Sequence, residues 1–184
     1  MADHVDREST AEWVHWRATD RISMTLNQQV GALYEQLRLD VFRYILALGL
    51  PPHMAQDITH DSFIRLYETL HRGAAVENAR AWLLRVAHNL AVNAVTSKSF
   101  APSELNVAQA TTEYTAEDRL IEAERRRRLR AEISRLSTQQ RACLELRAQG
   151  LRYREIGEII GISTSAVGEF LRRAISRLRE ALDE

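Results

Sequence analysis

The chain has 184 residues, of which 45% are apolar and 27% charged, the make-up of a soluble folded protein and not of a disordered one. Seven glycines and three prolines are too few for a turn-rich β-sandwich, and no apolar run approaches the ~20 residues that cross a bilayer. The single cysteine, Cys143, has no partner for a disulfide, and no CxxC or paired Cys/His spacing offers a zinc site. Met1 to Arg7 is charged and lacks an apolar leader, so a cytoplasmic protein is expected. The formal charge is zero but unevenly spread. Residues 1–28 carry 3 basic and 5 acidic groups, residues 29–98 carry 7 and 6, residues 99–124 carry 1 and 6, and residues 125–184 carry 14 and 8. A basic C-terminal piece behind an acidic connector suits an anionic partner, nucleic acid first, although helices laced with i,i+4 ion pairs give the same composition.

In chain order, residues 1–28 hold Trp13 and Trp16 with only a weak period and are read as an extension of unassigned role. From Val30 to Leu48, Leu33, Leu37, Val41, Ile45 and Leu48 fall on one helical face, and Gly49-Leu50-Pro51-Pro52 stops the helix. A second helix is predicted from about His53 to Leu70, burying Ile58, Phe63, Leu66, Tyr67 and Leu70. A third runs from about Asn78 to Thr96 with Leu83, Val86, Ala87, Leu90 and Ala94 as its inner stripe. These three form a first bundle, residues 29–98. Residues 99–118 are rich in Ser, Thr, Ala and acidic groups, contain Pro102, and read as a flexible linker, with helical patterning resuming near Ala116. Residues 119–184 form the second domain, opened by Arg125-Arg126-Arg127-Arg128.

The sharpest local signal lies in that second domain. Ser137-Thr138-Gln139-Gln140 is a capping box, in which the Ser hydroxyl takes one orphan amide and Gln140 reaches back to another. Its helix carries Leu144 and Leu146 and closes at Gly150, a residue suited to a left-handed C′ position. The run Tyr153-Arg154-Glu155-Ile156-Gly157-Glu158-Ile159-Ile160-Gly161-Ile162 and then Ser163-Thr164-Ser165-Ala166-Val167-Gly168-Glu169-Phe170-Leu171 has the spacing of a helix-turn-helix. Ile156, Ile160, Ile162, Val167 and Phe170 occupy the positions at which the two helices bury side chains. Gly157 is small where they cross, Gly161 fits the turn, and Ser163 or Thr164 can cap the second helix. In such motifs the second helix enters the major groove. Its outward stripe is Ser165, Gly168, Glu169, Arg172 and Ser176, flanked by Arg173 and Arg177. Glu169 can accept from cytosine, Arg172 can donate to guanine or phosphate, and Arg152 and Arg154 suit phosphate contacts, each arginine also being explicable as a solvated surface charge.

Together these residues resemble the extracytoplasmic-function class of bacterial sigma factors, all-α proteins of two small helical domains joined by a linker. Leu33-Tyr34-Glu35 to Tyr44, with Ala55-Gln56-Asp57-Ile58-Thr59-His60-Asp61-Ser62-Phe63-Ile64-Arg65-Leu66-Tyr67, is similar to the part that binds core RNA polymerase. Ala79-Arg80-Ala81-Trp82-Leu83-Leu84-Arg85-Val86-Ala87-His88-Asn89-Leu90-Ala91 is similar to the helix that engages the −10 promoter element, and Leu136 to Leu182 to the domain that reads the −35 element. The resemblance implies that Asp57, His60, Asp61, Ile64, Arg65 and Glu68 face the polymerase. It implies that Asn78, Arg80, Arg85, His88, Asn89, Asn93 and Lys98 meet the −10 element, and that Arg152, Arg154, Thr164, Ser165, Gly168, Glu169, Arg172 and Arg173 meet the −35 element. An anti-sigma factor is a further implied partner.

The chain departs from the family pattern in two places. An acidic residue is usual where Asn93 sits, followed by arginines where this chain reads Ala94-Val95-Thr96-Ser97-Lys98; fewer phosphate contacts weaken promoter binding and flatten its salt dependence. A basic pair is usual where Gly168 and Phe170 stand. Trp82 is expected in the core more than against a base, and Cys143 is expected as a small core residue. His53, Asp57, His60 and Asp61 share a helical spacing that could hold a metal, but nothing else in the chain speaks for one, and no cofactor is expected. The expected function is a sigma factor directing initiation at specific −35/−10 promoters. The alternatives are a stand-alone helix-turn-helix regulator and a sigma-like mimic that sequesters a regulatory protein. No nucleotide-binding glycine loop or nucleophile motif points to an enzyme.

Overall fold

The helical spacing read above is realised in a computed structural model of the chain, which describes residues 25–97 and 116–183. The described residues form α1 (Leu26–Ala47), α2 (Pro52–His71), α3 (Ala79–Ser97), α4 (Ala116–Arg135), α5 (Thr138–Ala148), α6 (Tyr153–Ile160) and α7 (Thr164–Asp183), with no strand among them. The extension up to residue 24, with Trp13 and Trp16, and residues 98–115, which hold most of the expected linker and Lys98, lie outside the described residues.

The first helix begins at Leu26 and not at Val30, because Thr25 and Gln28 build a capping box that the apolar stripe alone does not reveal. The Gln28 amide donates to Thr25 Oγ1 at 3.4 Å, and the Thr25 amide donates to Gln28 Oε1 at 2.9 Å. At its other end Leu48 caps the helix and Gly49, at φ +94°, reverses the chain. Pro52 then opens α2, where a missing N–H costs nothing. Leu37, Val41, Ile45 and Leu48 are buried as expected, with Tyr44 fully buried beside them. On α2, Ile58, Phe63 and Leu66 are buried, whereas Tyr67 and Leu70 are half-buried.

The inner stripe of α3 is wider than its period predicts. Leu83 and Ala87 are buried, but so are Leu84 and Ala91, while Val86, Leu90 and Ala94 are only partly covered. The reason is a second neighbour: α3 packs against α1 and α2 and also against α6. Trp82 is half-buried against the core. The second helical group is built around α7, which contacts α4, α5 and α6. Ser137 and Gln140 form the expected capping box, at 3.2 and 2.9 Å, and Cys143 is fully buried, which pushes its thiol up to about 11.

The two groups are not held apart. Helix α1 meets α5, α3 meets α6, and the buried apolar residues of both groups form one continuous cluster from Leu37 to Leu171. Nothing in the local sequence pattern announces this contact.

Inside the first group the Tyr44 hydroxyl and His88 Nδ1 share a 2.8 Å hydrogen bond. Burial holds His88 below its ordinary pKa and the Tyr44 phenol well above its own, so both are neutral near pH 7. A histidine whose folded pKa is depressed resists a proton that the unfolded chain accepts. Stability should therefore be level above about pH 7 and fall as the pH drops below ~6.5. Urea midpoints at pH 7.5 and 5.5 check this. His88→Gln should flatten the fall, and an unchanged slope in that variant would assign it to other groups.

Candidate functional site

Three outward stripes carry the residues that the sequence singled out. On α2, Asp57, His60, Asp61, Ile64, Arg65 and Glu68 are all exposed, one helical turn after another. Ile64 leaves 43% of its surface in water, and Asp57 and Asp61 make no hydrogen bond or ion pair with any described residue. The face is thus an apolar side chain framed by acids that hold nothing in the bundle together. Such a face suits a helix bearing arginines. The group of His53, Asp57, His60 and Asp61 is not gathered into a metal-holding cluster.

On α3, Arg85, Asn89 and Asn93 are exposed, with Val92, Val95 and Thr96 beside them. Among the described residues, the others expected on this face, Asn78, His88 and Arg80, are engaged within the protein. Asn78 uses its side-chain oxygen to cap α3, accepting from the Ala81 amide at 3.0 Å. His88 is turned to Tyr44. Arg80 is half-buried, bonded to Asp40 Oδ2 at 3.1 Å and to the Gln149 carbonyl at 3.0 Å.

The third stripe is set by the helix-turn-helix. Helix α6 ends at Gly161, at φ +75°, and Ser163 Oγ caps α7 by accepting from the Ala166 amide at 3.2 Å. Ile156 and Val167 are fully buried between the helices. Ile160, Ile162 and Phe170 are partly buried, with Ile159, Leu171 and Ala174 completing the seam. That packing turns Thr164, Ser165, Arg172 and Arg173 outward, and Arg152 and Arg154 lie exposed at the start of α6. Glu169 bridges the two arginines one turn on, at 2.8 Å to Arg172 and 2.7 Å to Arg173. The hydrogen bonds from Arg172, then Arg173, hold its carboxyl below the usual range. These pairs are exposed and cheap to break, so the arginines can exchange a carboxylate for phosphate or base.

Comparison with known proteins gives the family. The family model for sigma-70 region 2 matches residues 33–100, and that for sigma-70 region 4 matches residues 126–178. A sigma-H factor of RNA polymerase from Pseudomonas aeruginosa is 30% identical over 142 residues, covering 71% of this chain and 72% of that one. The extracytoplasmic-function sigma factor SigK of Mycolicibacterium vanbaalenii is 28% identical over 163 residues, covering 83% and 81%. The chain belongs to the extracytoplasmic-function sigma factors. Its fold is similar to a solved sigma factor, RpoE of Bartonella quintana in complex with the anti-sigma factor NepR, with a TM-score of 0.60 at 19% identity over 83% of this chain and 97% of that one. As a sigma factor it binds core RNA polymerase and directs promoter-specific initiation.

One contact within the helix-turn-helix was not singled out by the sequence reading. Tyr153 is 42% exposed at the start of α6, its ring lying 5.8 Å from the Arg147 guanidinium and beside Gly168 on α7. The departures at Gly168 and Phe170 have structural counterparts, since Phe170 packs against the core and Gly168 faces that ring. Phe170 was expected in the seam between the two helices and is found partly buried there. Tyr153 had no local signal, because its partner Gly168 comes from the next helix.

Two of the helix-turn-helix glycines, Gly157 and Gly168, differ in what a methyl group would meet. At Gly157 a Cβ would stand 2.7 Å from the Ile162 carbonyl oxygen, so the backbone turn itself must move. At Gly168 it would meet the Tyr153 ring at 3.7 Å, an ordinary contact. Gly157→Ala should therefore destabilise the protein by about 1–3 kcal/mol despite its better helix propensity. Gly168→Ala should be neutral or stabilising by up to about 1 kcal/mol. Urea or thermal denaturation checks both, and equal effects of the two would contradict the crossing geometry.

Proposed function

We propose that the three stripes divide the work of this sigma factor. Asp57, His60, Asp61, Ile64, Arg65 and Glu68 grip core RNA polymerase. The α3 face of Arg85, Asn89 and Asn93, with Lys98 and joined by Asn78, Arg80 and His88 when these three are released to it, captures the −10 element. Arg152, Arg154, Thr164, Ser165, Gly168, Glu169, Arg172 and Arg173 read the −35 element in the major groove. In this division residues 29–98 form the polymerase and −10 domain, residues 99–118 the acidic connector, and residues 119–184 the −35 domain. The observation that carries it is the outward, unpaired acidic stripe of α2, which contributes nothing to the packing of its own bundle and so calls for a partner outside it. A stand-alone DNA-binding regulator has no use for that stripe.

The factor acts without chemistry of its own, in the cytoplasm, as an accessory to an enzyme it does not itself contain. Its sequence has neither a phosphate-cradling glycine loop nor a nucleophile motif, and no described helix is long and apolar enough to cross a membrane. A protein antagonist is a further partner, supported by the anti-sigma complex in which the similar RpoE was solved.

Run-off transcription with core polymerase tests the α2 assignment. Asp57→Arg with Asp61→Arg should lower promoter-dependent transcript at least about tenfold, because like charges then face the partner's cations. Helical content should be unchanged by circular dichroism, since both side chains are exposed. Full activity in the double variant would remove α2 from the polymerase contact.

A further inference from the structure

The polar contacts between the two helical groups follow a pattern. Arg80 of the first group donates through Nη2 to the carbonyl of Gln149, the residue that caps the C-terminus of α5, and also reaches Gln149 Oε1 at 3.3 Å. Arg141 of the second group donates through Nη2 at 3.3 Å to the carbonyl of Leu48, the residue that caps the C-terminus of α1. Each group thus lends one guanidinium to the negative end of a helix in the other, where orphan carbonyls and the helix dipole both favour a cation. Gln149 Nε2 closes the ring by donating to the Asp40 carbonyl at 3.1 Å, and Asp40 Oδ2 holds Arg80 from the other side. The arrangement is reciprocal, and it is incomplete. The Nε atoms of both Arg80 and Arg141 are buried without a hydrogen-bond partner. An interface with two partly unsatisfied guanidiniums is one that water and competing anions can open.

The closed arrangement cannot serve a promoter. Elements named −35 and −10 lie about 25 base pairs apart, ~85 Å at ~3.4 Å per step. A packed body of this size has a radius of gyration of only roughly 14 Å. The 18 residues between Ser97 and Ala116 can stretch to at most about 60 Å, which with the width of two modules covers the distance only once α3 and α6 have parted.

We propose that Arg80, Asp40, Gln149 and Arg141 form a latch that keeps this sigma factor closed and unable to engage both promoter elements, and that Arg80 is the residue that changes partners, from Asp40 and Gln149 in the closed chain to promoter DNA in the open one. The DNA half of this inference rests on the function proposed above; the latch itself does not. Because one guanidinium cannot be in both places, promoter engagement and closure exclude each other, and polymerase or DNA binding is coupled to opening.

Single-molecule fluorescence transfer on the full chain, with dyes at Arg72→Cys and Arg179→Cys, tests the latch. Both positions are exposed and outside the assigned stripes, while Cys143 is buried and its thiol protonated. The unaltered pair should show one compact population alone and a long distance when core polymerase is added. Gln149→Ala, which removes the side-chain contacts to Arg80 and Asp40 and alters no residue assigned to DNA or polymerase, should lower the closed-to-open ratio at least about tenfold, as loss of a charge-assisted bond does, and Asp40→Asn should act in the same direction. A chain that is extended by itself, or a closed population unmoved in both variants, overturns the latch. Transcription separates the two claims. If Gln149→Ala opens the chain while no variant supports initiation with core enzyme, the latch stands and the functional assignment fails. If every variant initiates and the distances do not change, the latch alone fails.

Discussion

Where α1 crosses α5 and α3 crosses α6, one apolar core runs through both helical groups, and every exposed surface of the protein is what that core leaves outside. The consequences can be traced residue by residue. Leu84 and Ala91 are drawn inside because α3 has a neighbour on a second side, which leaves Arg85, Asn89, Val92, Asn93, Val95 and Thr96 as its open face. Among the described residues the inner stripe of α2 packs chiefly against α1 and α3, and its outer residues stay exposed. Burial of Ile156 against Val167 and Leu171 fixes how far α7 projects and which turn of it meets solvent. Function here is a matter of which side chains remain unspent after packing.

Two kinds of polar contact should be distinguished by burial. The Glu169 pairs with Arg172 and Arg173, and that of Arg154 with Glu158, are intrahelical and exposed. They contribute little to stability and mainly keep guanidiniums extended along the face that would meet DNA. The contacts of Arg80 and Arg141 are partly shielded from water and tied to backbone carbonyls at helix ends, so they weigh more on the balance between closed and open chains. The same residue type therefore does two different jobs, and its position relative to the shared core decides which.

Much of this was legible in the sequence because it is local. The Ser137 capping box, the Gly161 turn and the burial of Ile156 and Val167 in the helix-turn-helix seam each depend on local spacing, which reveals them, whereas Leu171 in that seam was not assigned and Ile160, Ile162 and Phe170 are only partly buried. The α2 stripe was equally readable from its period. What escaped was non-local. Arg80 and Arg141 have the appearance of ordinary surface charges, and only the docking of residues some 70 and 90 positions away shows them capping foreign helices. The Tyr44–His88 bond and the Tyr153–Gly168 contact were hidden for the same reason. Thr25 escaped for a different one, since a capping box just ahead of the apolar period extends a helix beyond it.

The most direct measurement of the central claim is a DNA footprint on a responsive promoter, with and without core RNA polymerase. The account requires protection of two separate patches, at −35 and −10, in the presence of core enzyme, and no stable protection by the chain alone, because the closed body cannot reach both. A single palindromic footprint formed by the chain without polymerase would contradict it, since that pattern belongs to a dimeric regulator reading duplex DNA unaided.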